Sequence, residues 1–168
     1  MKGAADFETA LRERLQGACR IVVVGIGDEW NAQDRLGMDA ARGLMDLELE
    51  NLEVLLAGTV PESVTAPIRR FRPDHVILVD AVQMDRPPGT VRIVAPGHVE
   101  ARFFSTHVLP LPVVMKFLAE DAQTKVTLVG IQPDLANESE TRTPEEQAGL
   151  AVVIGTLRRV LTACLRRQ

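Results

Sequence analysis

The stretch IVVVGIG, Ile21 to Gly27, most constrains what this chain can become. Its β-branched run is too short for a helix and apolar on both faces, as expected of a central parallel strand covered by helices on either side, and two glycines close it. Similar runs follow at LEVLLAG (Leu52 to Gly58), HVILVDAV (His75 to Val82) and KVTLVGIQP. Helical segments separate them. Leu36, Ala40, Leu44 and Leu47 give helical spacing from about Asp34 to Leu47, and PESVTAPIRRF predicts a short helix opening on a proline and interrupted near Pro67. LPLPVVMKFLAED predicts a helix from around Pro112, and another runs from Pro144 to about Leu165. TVRIVAP, where Val91 and Ile93 alternate with Arg92, predicts an edge strand. Strand and helix alternate, so the chain is expected to be α/β, with a parallel or mostly parallel sheet covered on both faces. Phe7, Leu11 and Leu15 mark a short amphipathic helix, expected as an addition preceding the core.

A length of 168 residues with 46% hydrophobic content suits a single domain, 1–168, that fills its core without disulfides or a structural metal. The net charge of -4 argues against a nucleic-acid surface. The basic cluster Arg158, Arg159, Arg166 and Arg167 is expected to line a solvated helix end, where cations oppose the helix dipole. Cys19 and Cys164 form no CxxC pair and no disulfide framework, which suits a reducing cytoplasm. The N-terminus lacks the apolar core of a signal peptide, and the apolar runs are expected to be too short to cross a bilayer.

The segment GIGDEWNAQDRLGMDA, from Gly25, could be a phosphate loop or could carry a reactive acid. A dinucleotide fingerprint needs a third glycine where this chain has Trp30, and a Walker loop needs a lysine that does not follow Gly27. Both phosphate readings are disfavoured. Gly25 and Gly27 then serve a sharp turn at the strand's C-terminal end, where open α/β sheets place ligands. Asp34 starts the next helix and could be a plain N-cap. Asp80 ends the apolar run VILV, and a carboxylate at a central strand tip must be paired, hydrogen-bonded or bound to a cation. His107 lies in the loop FFSTHVLPLP, where a satisfied core or surface histidine is the bland alternative. Should the fold converge Asp34, Asp80 and His107, they would form a mixed nitrogen and oxygen site suited to nickel or zinc.

At these residues the chain resembles the hydrogenase maturation endopeptidases, which trim the C-terminus of nickel–iron hydrogenase large subunits. The family block of GxGN, a spacer, an acidic pair and a glycine is matched by GIGDEWNAQDRLG, without gaps, placing Asp34 at the metal-binding acid. LVDAVQM followed by PPGTVRIV gives Asp80, and STHVLPL gives His107. VTLVGIQPDLANES resembles the GIQP segment of the branch serving formate-hydrogenlyase-like hydrogenases, and the likeness spans about Arg20 to Leu165. Departures are Asp28 for the usual Asn, Gln33 for the first acid of the pair, and Glu29 and Trp30 for apolar residues.

The resemblance implies a three-layer α/β/α fold with a mostly parallel, mixed central sheet. It implies a peptide-bond hydrolase with Asp34, Asp80 and His107 as catalytic and nickel-binding residues. No cofactor would be permanently bound, since the nickel belongs to the large-subunit precursor, the partner, and serves as the recognition element. Gly25, Gly27 and Asp28 would shape the loop, and Thr106 would orient His107. No Ser-His-acid trio or HExxH motif suggests another protease mechanism. The alternative is a non-catalytic family member that binds the nickel-loaded subunit without cutting it. Of the acids around the loop, Glu29 and Asp39 are expected to be solvated.

Overall fold

A computed structural model describes residues 2–95, 110–137 and 139–166. The strands are β1 (Ile21–Ile26), β2 (Leu52–Gly58), β3 (His75–Ala81), β4 (Val91–Val94) and β5 (Lys125–Ile131). The helices are α1 (Lys2–Arg14), α2 (Leu36–Arg42), α3 (Thr65–Phe71), α4 (Leu111–Asp121) and α5 (Pro144–Leu165). Among the described residues, five strands form one sheet in the order β2-β1-β3-β5-β4. Every pairing is parallel except β4 on β5, which is antiparallel and puts VRIV at an edge as its alternation predicts.

The period-2 alternation of strands sorts the core into two layers. Ile21, Val23, Ile77, Val79, Val129 and Ile131 pack with α1, α2 and α5 on one face. Val22, Val24, Val76, Leu78 and Leu128 pack with α3 and α4 on the other. The fold is therefore α/β/α with a mixed, mostly parallel sheet, as expected.

Several local readings change. α1 is no mere addition: Phe7, Leu11 and Leu15 are buried in the main core beside α5 residues Val153, Leu157 and Leu161. α2 ends at Arg42, well short of Leu47, because the chain tightens into turns closed by Leu44 N–H to Ala41 and Leu47 N–H to Leu44. Leu44 is still buried, so the apolar spacing persists through turns that periodicity cannot tell from helix. Pro67 does not interrupt α3: a 3₁₀ turn over Pro61–Val64 precedes the helix, and Pro67 sits in its first turn, where no N–H is needed. α5 starts at Pro144 behind a capping box in which Thr143 and Glu146 satisfy each other's backbone N–H.

Contrary to the expectation that every apolar run is too short, α5 spans 22 residues and holds an 18-residue window of mean hydropathy 1.6, enough by length and composition alone to cross a membrane. Leu150, Val153, Leu157, Val160 and Leu161 along it are buried in the core. Nor do Arg158 and Arg159 line a solvated helix end: Arg158 clasps Asp46 and the Gly43 carbonyl, and Arg159 clasps Glu8, tying α5 to the end of α2 and to α1. Cys19 and Cys164 are both free thiols.

Candidate functional site at the C-terminal edge of the sheet

The glycines of GIG exist for close approach rather than for phosphate. A Cβ on Gly25 would lie 2.7 Å from the Gly37 carbonyl oxygen, and one on Gly27, at φ +137°, 2.0 Å from that of Asp34. Gly37 itself is wedged onto the sheet, where a Cβ would fall 2.1 Å from the Val79 carbonyl oxygen and 2.4 Å from that of Ile26. The start of α2 thus rests directly on the ends of β1 and β3. Val79 immediately precedes Asp80, so the Asp34 loop and the Asp80 strand end share one edge of the sheet.

Asp34 is not the cap of α2. The capping position is Arg35, which makes no side-chain cap bond; the Asp34 carboxylate turns back into its own loop, where Oδ2 accepts the Asp28 N–H at 2.7 Å. Asp28 Oδ1 accepts the Trp30 N–H at 2.9 Å, and Asn31 Oδ1 accepts from Gln33 and Asp34. An asparagine oxygen could do the same as Asp28, so that departure keeps the loop's local bonding. Asp80 is 3% exposed, deep enough that its charge requires compensation. His107 and Thr106 fall outside the described residues, and among those residues no group of three His, Cys, Asp or Glu side chains forms a metal cluster.

Asp39 is far from solvated. It pairs with Arg142, with Arg42 at 2.8 Å and with Arg35 at 3.2 Å. Burial opposes its charge, but the hydrogen bonds from Arg142 and Arg42, with the charges of Arg142 and Arg35, outweigh that and hold the carboxyl below the ordinary carboxylate range. Glu29 is half exposed and pairs with Arg42.

Two supports escaped the sequence reading. Gln132 of the GIQP segment is buried, and its Oε1 accepts the Met84 N–H at 2.6 Å, fixing the chain just after Asp80. Residues after β5 also brace the loop: Gln33 Nε2 donates to the Asn137 and Ser139 carbonyls, and Arg142 Nε donates to the Ala32 carbonyl at 3.0 Å. Only a buried polar residue after a strand hinted at the first, and nothing in a polar loop signalled the second.

Features at the other edge of the sheet are separate from these acids. A groove of about 800 Å³ there is lined by Arg20, Arg69 and Arg70. His75, 1% exposed at the start of β3, bonds Thr127 at 2.8 Å and is a core residue.

Comparison with known proteins fits this arrangement. A family model described as HycI, hydrogenase maturation protease, matches residues 39–151. The hydrogenase 3 maturation protease of Escherichia coli K12 is 32% identical over 115 residues, covering 68% of this chain and 73% of the relative. A crystal structure of a [NiFe] hydrogenase maturation protease from Thermococcus kodakarensis superposes with TM-score 0.81 at 28% identity, covering 91% of this chain and 99% of that one. The solution structure of an endopeptidase from Escherichia coli, HycI, gives TM-score 0.70 at 28% identity over 81% of this chain and 87% of its own. Fold and sequence agree: the chain belongs to the hydrogenase maturation protease family.

Proposed function

We propose that this endopeptidase removes a C-terminal extension from a nickel-loaded hydrogenase large-subunit precursor, and that Asp34, Asp80 and His107 bind the precursor's nickel. The nickel is the substrate's cargo and serves as the recognition element, so an unloaded precursor offers nothing for the three side chains to hold. Two carboxylates and an imidazole suit a borderline divalent ion and leave positions for ligands that the precursor keeps. Binding there would seat the scissile peptide against the metal and the acids, where proximity and carbonyl polarisation accelerate hydrolysis.

The observation that carries the reading is the wedging of Gly37 onto the Ile26 and Val79 carbonyls, which sets the Asp34 loop beside the strand end of Asp80. Trp30, 92% exposed in that loop, and Leu135, 60% exposed after β5, offer apolar surface at the same edge for a protein substrate. Two free cysteines accord with a cytoplasmic location. Replacing Asp80 with Asn or His107 with Ala should abolish processing of the loaded precursor while the protein still unfolds cooperatively; unaltered processing would sink the site assignment. Binding of the loaded precursor without cleavage by the unsubstituted protein would favour the non-catalytic reading.

A further inference from the structure

The loop that carries Asp34 does not stand alone: it is stitched to the segment after β5 by side chains from both sides. Gln33 Nε2 donates to the Asn137 carbonyl at 2.9 Å and the Ser139 carbonyl at 3.1 Å. Arg142, its side chain 12% exposed, returns the contact by donating from Nε to the Ala32 carbonyl at 3.0 Å while its other nitrogen pairs with Asp39. The receiving segment is itself fixed. Glu146 of the α5 capping box accepts the Asp134 N–H at 2.9 Å, Asn137 Nδ2 donates to the Thr141 carbonyl at 2.8 Å, and Ser139 Oγ bonds both Asn137 and Thr141. Ala32 and Gln33 immediately precede Asp34, so both bracing points fall just before the proposed nickel ligand.

We propose that Gln33 and Arg142 are positioning residues that clamp the Asp34 loop onto residues 134–137 and 139–143, holding Asp34 where it meets the substrate's nickel. The role needs donors. Both partners of Gln33 are carbonyl oxygens, which only accept, so an amide fits and a carboxylate in the same place would face them with lone pairs. Glu is nearly isosteric with Gln yet removes both donations and adds repulsion. Arg142 likewise supplies a directed Nε–H that lysine lacks, although lysine would keep the charge beside Asp39. The inference rests on the functional reading above only for what Asp34 does once held.

The test pairs a structural readout with a kinetic one. In the free protein, amide hydrogen exchange at Asp28 reports the loop, because its N–H is bound by Asp34 Oδ2. Gln33→Glu should speed that exchange about tenfold, consistent with roughly 1.4 kcal/mol for lost hydrogen bonds, without speeding exchange in β1 and β3. On nickel-loaded precursor the same variant should lose about tenfold in kcat/KM, since Asp34 is misplaced for the nickel it holds. Arg142→Lys should reproduce both effects, and it decides the matter if Gln33→Glu disturbs the whole fold. Unchanged Asp28 exchange, or faster exchange with kcat/KM unchanged, would overturn the clamp. A chain that never cleaves precursor would instead defeat the functional reading, and Asp28 exchange would still judge the clamp.

Discussion

The Asp34 carboxylate accepts a hydrogen bond from the backbone N–H of Asp28 at 2.7 Å, closing the loop between β1 and α2 on itself. The same side chain therefore shapes the loop and, on our account, meets the nickel. These roles separate by substitution. Asp34→Asn keeps an oxygen that can accept the Asp28 N–H but loses the anionic charge a divalent cation prefers. Processing should fall at least about a hundredfold with the melting temperature nearly unchanged, whereas Asp34→Ala should lose processing and also about 1 kcal/mol of stability. Precursor processing followed by mass, beside thermal unfolding, checks both; wild-type processing by Asp34→Asn would contradict the assignment.

Gly37 allows the loop to sit on the sheet at all. A Cβ there would press into two carbonyl oxygens at 2.1 and 2.4 Å, so backbone must move to admit even alanine. Gly37→Ala should cost about 2 kcal/mol or more in urea unfolding and should also impair processing, because α2 is lifted from the ends of β1 and β3. A variant as stable as the parent would show that this contact is looser than its geometry states.

These two residues mark what was and was not legible in the sequence. Buried strands declare themselves through short β-branched runs, and β4 through Arg92 between Val91 and Ile93, so strand positions and the edge were readable. Asp80 could be nominated because an acid ending an apolar strand is conspicuous, and Asp34 because the resemblance aligns it with the family's metal-binding acid. What Asp34 bonds to was not readable: the N-cap reading was reasonable locally, and a loop geometry set by Gly27 and Gly37 against distant carbonyls displaced it. Asp39 was misjudged as solvated for the same reason, since Arg142 lies far along the chain and reaches it only through tertiary packing. The burial of α1 depends on a neighbour, α5, from the opposite end of the sequence.

His75 gives the fold a distinct pH response. Burial pushes its imidazole down from 6.5 to about 4, assisted by the nearby charges of Lys125 and Arg14. Above pH 6.5 the ring is neutral folded or unfolded, so its stability contribution is fully present there. As pH falls below that value the unfolded chain takes up the proton first, and stability is lost until the folded-state value near 4 is passed. Between pH 7 and 5 the loss attributable to this residue should be about 2 kcal/mol in urea-unfolding free energy. His75→Gln, which keeps a polar group beside Thr127, should flatten that slope; an undiminished slope would assign the titration elsewhere.

If the substrate's nickel licenses the cut, as proposed, cleavage must depend on its presence. Purified protein should be incubated with a hydrogenase large-subunit precursor carrying nickel and, in parallel, with the same precursor free of nickel, and each product weighed by intact-mass spectrometry. The account predicts loss of a C-terminal peptide from the loaded precursor alone. Equal cleavage of both, or of neither, would contradict it.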